Sequence, residues 1–178
     1  MYHVGNFSTA LMSMHLRLLS GLAMAATVFA SPAAQGPLQP VTWTVALGPA
    51  AASRAPGGPL AALVTAKMGE GWHIYSTQEL PDGPRPLRID LVPGGPAEPA
   101  GAMLSPEPER EFDDAFSQVT AYYKETATFR VPLKIRAQAK PAAASVAFDI
   151  SFQACDGRMC LPGRTVRVSA PVVIARPK

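Results

Sequence analysis

Proline constrains this chain more than any other feature. It occupies 19 of 178 positions, about twice the usual share of roughly 5%. Its ring removes a backbone donor and clashes with the preceding helical turn, and within a sheet it is restricted to edges, ends and turns. Long helices are thereby excluded from most of the chain. What remains is a protein of short strands joined by many turns.

The apolar residues follow that expectation. Val41 to Leu47 alternates Val41, Trp43, Val45 and Leu47 with small or polar residues, the period of a half-buried strand. Pro49 to Pro59 reads as a loop, Leu60 to Met68 as a second strand, Gly69 to Gly71 as a turn and Trp72 to Ser76 as a third strand. Leu87 to Val92 alternates again, and Pro93 to Pro108 has the composition of a surface connection. Arg110 to Phe116 is expected to make about a turn of helix. Strands are expected at Val119 to Lys124 and at Thr126 to Ala137, where Phe129, Val131, Leu133 and Ile135 share a face. Ser145 to Ala154 sets Val146, Phe148, Ile150 and Phe152 against Ala147, Asp149, Ser151 and Gln153. Thr165 to Ile174 closes the series. Seven to nine short strands separated by turns predict an all-β sandwich.

The N-terminus has a different character. Residues 1–30 contain no acid and one arginine, Arg17, followed by the apolar run Leu18 to Phe29 and the small residues Ala30 and Ser31. This is the pattern of a cleaved secretory signal peptide, too short for a spanning helix of about 20 apolar residues. Starting at Met12 or Met14 would give a more usual n-region. The expected division is a signal peptide over 1–30, a flexible Pro/Ala/Gln/Gly leader over 31–40, and one domain over 41–178, destined for the periplasm. Removing Arg17 from 16 Lys+Arg leaves 15 against 13 Asp+Glu. No concentrated basic patch stands out, which argues against a nucleic-acid partner. With no G-x-G-x-x-G or P-loop pattern, nucleotide chemistry is unsupported, and neither a cofactor nor a metal is expected. The adjacent Asp113 and Asp114 read as a solvated turn rather than an acid/base couple.

The only cysteines, Cys155 and Cys160, sit in SFQACDGRMCLPG, where the strand from Ser145 ends and the last strand has yet to begin. Three readings are open. A structural disulfide is common in exported proteins, yet closing a ring of about six residues contributes only about 2 kcal/mol in the chain-entropy model. In that case the protein would be a non-enzymatic binding module whose edge strands pair with other chains. A zinc site would have to recruit carboxylates, because His73 is the only histidine beyond residue 30. The third reading is thiol–disulfide exchange, in which a thiolate attacks a partner's disulfide through a mixed disulfide. Local charge does not rank the two thiols, since Asp156 and Arg158 act in opposite directions.

The cysteine run, together with GWHIYS upstream and AYYKETATFRVPLKI between, resembles the N-terminal periplasmic domain of the thiol:disulfide interchange protein DsbD. The resemblance spans Val41 to Ile174 in the right order. It implies an immunoglobulin-like fold and an electron relay of the protein-disulfide reductase type. Reducing equivalents would come from a membrane donor protein and pass to thioredoxin-like or disulfide isomerase partners. It also implies that Cys155 and Cys160 are the redox pair, Cys160 forming mixed disulfides and Cys155 resolving them. A cap loop with a shielding aromatic is best matched by Asp114-Ala115-Phe116, with Phe112 as the fallback, and His73 and Tyr75 would line the site. Two departures stand out. Only four residues separate the cysteines, one fewer than in the best-known members. The chain also ends at Lys178, so the membrane donor is expected in trans.

Overall fold

A computed structural model describes residues 38–48 and 55–176. The expected signal peptide, the leader up to residue 37 and the loop over 49–54 lie outside the described residues. Within them the chain is all-β, with eleven strands and no helix: β1 (Val41–Leu47), β2 (Pro59–Met68), β3 (His73–Tyr75), β4 (Arg88–Leu91), β5 (Ala97–Pro99), β6 (Glu109–Asp113), β7 (Gln118–Lys124), β8 (Thr126–Ile135), β9 (Ala143–Phe152), β10 (Ala154–Cys155) and β11 (Arg164–Val173). They form three sheets in the orders β1-β2-β8-β5, β10-β3-β7-β6 and β11-β9-β4. Every strand pair is antiparallel.

Alternation places the core where the sequence puts it. Phe129, Val131, Leu133 and Ile135 of β8 are buried, as are Val146, Phe148, Ile150 and Phe152 of β9. Trp43 of β1 joins the first and third sheets across the core, its ring 5.3 Å from Phe152 and 6.4 Å from Phe129. Tyr123 of β7 meets Phe129 edge-on at 5.2 Å and ties in the second sheet. On the solvent side of the third sheet Asp149 takes both Arg167 Nε and Nη2 at 2.6 Å, a bidentate pair between register partners. Pro171 falls on β11, an edge strand, where its missing donor does least harm.

Three strands go beyond the sequence expectation of eight, and all three bear on the site. The expected loop Pro93 to Pro108 contains β5, because Ala97 is buried opposite Ile135, and an isolated bridge joins Leu104 to Arg130. The expected helical turn from Arg110 is instead strand β6, which pairs with β7 from Glu109↔Tyr122 to Asp113↔Gln118. Tertiary pairing overrides local preference there, and only the following turn remains irregular. The expected single strand to Ala154 divides at Gln153. There the chain leaves the third sheet and joins the second as β10, while the Gln153 side-chain oxygen accepts the Arg85 N–H at 2.9 Å. The second sheet is linked to the first with equal economy. Glu125 alone, at φ 54°, separates β7 from β8, and its carbonyl accepts Met68 N–H at 2.8 Å.

Candidate functional site

One face of the second sheet carries the site. Cys155 on β10 stands opposite His73 on β3; His73 stands opposite Lys124 and Tyr75 opposite Tyr122 on β7; Tyr122 stands opposite Glu109 on β6. Residues opposite one another share a face, and two-residue steps add Thr120, Glu111 and Asp113. These side chains and the cysteine loop enclose a cleft of about 520 Å³. All six residues expected at the site line it: Cys155, Cys160, His73, Tyr75, Asp114 and Phe116.

Cys155 and Cys160 are joined as a disulfide, with Cα atoms 4.1 Å apart. The two ends differ sharply in access: Cys155 is 1% exposed, whereas Cys160 lies among the exposed residues. Asp156 shapes the loop between them. Its Oδ1 accepts the N–H groups of Arg158 and Met159, both at 2.8 Å, and its own N–H donates to Met159 O at 2.9 Å. The backbone donors of Met159 and Arg158 hold the Asp156 carboxyl below its ordinary pKa. Leu161 N–H returns to Ala154 O at 2.9 Å and closes the hairpin.

The turn of Asp114, Ala115 and Phe116 is organised by Asp113. Asp113 is half-buried rather than part of a solvated turn. Its Oδ1 accepts Ala115 N–H at 3.0 Å, and its backbone carbonyl accepts Phe116 N–H at 3.2 Å. Its Oδ2 accepts the Tyr75 hydroxyl at 2.8 Å and the Thr120 hydroxyl at 3.4 Å. One carboxylate therefore fixes both the turn that carries Phe116 and the ring beneath it. Ser117 completes the turn at φ 53°. Phe116 packs edge-on against Tyr75 at 5.7 Å and joins the cluster of Tyr75, Tyr122 and Cys155. Asp114 is exposed in the same turn, and Phe112, on the opposite side of β6, is 59% exposed. Of the two aromatics considered for the cap, Phe116 is the one against the cysteine cluster.

Burial first, then the bond to Asp113, pushes the Tyr75 phenol well above its ordinary pKa, so it stays neutral. Its proton goes to Asp113, and its oxygen lies 4.0 Å from Cys160 Sγ. Tyr122 donates to Glu111 at 2.7 Å and is likewise raised by burial and that bond. Lys124 pairs with Glu109 at 2.8 Å and lies over the Tyr122 ring at 5.1 Å. His73 sits between Tyr75 and Tyr122, with ring centroids at 5.2 and 5.0 Å. Burial is the main influence on its imidazole and takes it below 6.5, although Asp113, Asp156 and Glu111 act the other way. Glu111, Asp113, Thr120, Tyr122 and Lys124 were not singled out from sequence. The period-two pattern Glu109, Glu111, Asp113 was the available signal, and a helical reading of that segment hides it. Replacing Tyr75 by Phe should cost about 1.5–3 kcal/mol, the scale of a hydrogen bond to a charged group. Chemical denaturation of both proteins measures it.

The sequence matches the family described as "Thiol:disulfide interchange protein DsbD, N-terminal" over residues 44–171, and the chain belongs to that family. Among solved structures it is similar to the DsbD N-terminal domain of Neisseria meningitidis in the reduced form, at 15% identity and a TM-score of 0.44, covering 63% of this chain and 77% of that one. It is also similar to the N-terminal periplasmic domain of ScsB from Proteus mirabilis, at 14% identity and a TM-score of 0.46, covering 75% of this chain and 45% of that one. A third is the complex of the DsbD and PilB N-terminal domains from Neisseria meningitidis, at 14% identity and a TM-score of 0.41, covering 71% and 80%. No curated protein matches the sequence at a significant level.

Proposed function

We propose that this chain is a periplasmic thiol–disulfide exchange domain that works through Cys155 and Cys160. Its partners are thioredoxin-like proteins, and a membrane donor protein re-reduces it. Membership of the DsbD N-terminal family supports the reaction class. The observation that carries the assignment of roles is the unequal exposure of the two residues: Cys160 is exposed and Cys155 is 1% exposed. Exchange requires in-line approach to one sulfur and a second thiol held ready to displace the partner. Cys160 is accordingly the attacking thiol and Cys155 the resolving one. Phe116 caps the enclosed Cys155 side of the pair, while His73, Tyr75 and Asp114 line the cleft. A partner of this kind accords with membership of the DsbD N-terminal family. The proposed division is a signal peptide over 1–30, a leader over 31–40 and the exchange domain over 41–178.

The reduction potential of the Cys155–Cys160 couple tests this reading, by equilibration in defined thiol buffers with alkylation and mass detection. A value above roughly −250 mV is expected, in the range of exchangeable pairs. A value below about −300 mV is that of a structural clip, and the protein would then be a binding module.

A further inference from the structure

We infer that His73 takes the proton of Cys155 in the step that closes the disulfide. This rests on the exchange reading above and adds a proton acceptor to it. In that step Cys160 is joined to a partner's sulfur as a mixed disulfide. The Cys155 thiol gives its proton to an imidazole nitrogen of His73, and the sulfur's electron pair forms the bond to Cys160 Sγ. The bond between Cys160 and the partner breaks, and its electron pair leaves on the partner's sulfur as a thiolate. Cys155 and Cys160 together lose two electrons and the partner's disulfide gains them. The imidazolium then returns its proton to the departing thiolate or to water.

Three observations carry this. First, Cys155 is 1% exposed and belongs to a cluster with Tyr75 and Tyr122. A thiol so enclosed has little access to solvent for its proton, and burial disfavours the thiolate. Second, Cys155 and His73 are direct register partners, which sets their Cβ atoms about 4.5–5.5 Å apart on one face. Third, the neighbouring groups are already committed. Tyr75 donates to Asp113, Tyr122 donates to Glu111, and Lys124 pairs with Glu109. Asp113 already receives Tyr75, Thr120 and Ala115. Among the described residues the His73 ring nitrogens have no hydrogen-bond partner; its contacts are the faces and edges of two tyrosines.

The charged groups around His73 are Asp113 and Glu111 from β6, Lys124 from β7 and Asp156 from the cysteine loop, with the Tyr75 and Tyr122 hydroxyls beside it. Burial outweighs the three acids and lowers the imidazole below its ordinary 6.5, which favours the neutral form that can accept a proton. His73 is held in place to do so by its two aromatic neighbours.

Ellman's reagent gives the test without a protein partner. Attack by Cys160 of the reduced protein releases one nitrothiobenzoate, and ring closure by Cys155 releases a second. The second release is expected to slow as the pH falls and the imidazole protonates, at a pH below the ordinary 6.5 of histidine. His73→Gln and His73→Phe should both slow it about three- to tenfold at pH 7. The loss is set below the roughly hundredfold or more typical of a positioned general base because solvent can still take the proton in part. The inflection should vanish, and the variants should converge with the wild type at high pH. His73→Phe keeps a ring between the tyrosines, so closure at the wild-type rate and pH profile in that variant overturns the inference. If Cys160 takes up no nitrothiobenzoate at all, the exchange reading fails. The inference is then decided by the alkylation rate of Cys155 at pH 7 in Cys160→Ser with and without His73→Phe: slower alkylation in the double variant supports it, and equal rates overturn it.

Discussion

Cys160→Ser is expected to reduce disulfide exchange with a thioredoxin-like protein to the uncatalysed background. Cys155 is then the only thiol, and at 1% exposure it is out of a partner's reach. Cys155→Ser should behave in the opposite way. Cys160 remains exposed and still attacks, but nothing displaces the partner, so a covalent adduct accumulates. The two variants are compared by non-reducing electrophoresis after mixing with an oxidised thioredoxin-like protein. An adduct formed by Cys160→Ser but not by Cys155→Ser would reverse the roles. Adducts with neither variant would remove the exchange function.

Phe148→Ala should lower stability by about 3–5 kcal/mol, the range for emptying a buried aromatic position. Phe148 is fully buried in β9, the central strand of its sheet, opposite Leu91 and Val168. No neighbouring strand can move into the space without breaking a ladder. For a domain of this length the thermal midpoint should fall by about 10 °C or more. Val173→Ala, at a position 56% exposed, is the control and should stay within about 0.5 kcal/mol. Thermal denaturation of both, under oxidising conditions, measures the difference. A loss below about 1 kcal/mol for Phe148→Ala would mean that the core tolerates a cavity there.

Much of this fold was legible because buried strands repeat with period two. β1 is bounded as the alternation predicts, and β8, β9 and β11 differ from expectation by only a few residues. β5 and β10, of three and two residues, are too short to carry a period, and pairing with longer neighbours creates them. β6 was obscured for another reason. Its sequence EREFD is mostly charged, and charge alone does not distinguish an edge strand from a solvated turn. The family motif named the cysteines, Phe116, His73 and Tyr75, which line one cleft. Asp113 was not among them, because its importance lies in contacts with Tyr75 and Thr120, which come from two other strands.

Gln153 and the return at Arg164 have a kinetic consequence. The cysteine hairpin joins the second sheet, while β9 and β11, the strands on either side of it, are locked to each other along ten residue pairs of the third. Neither anchor nor the Ala154–Leu161 hydrogen bond involves a sulfur, so all are expected to outlast reduction. The two sulfurs thus remain neighbours without being bonded, and the effective molarity of one toward the other is set by the fold. A partner captured on Cys160 competes with a thiol whose entropy of approach was already spent during folding. Short-lived adducts and rapid turnover follow from that tether, whatever the affinity of the docking surfaces.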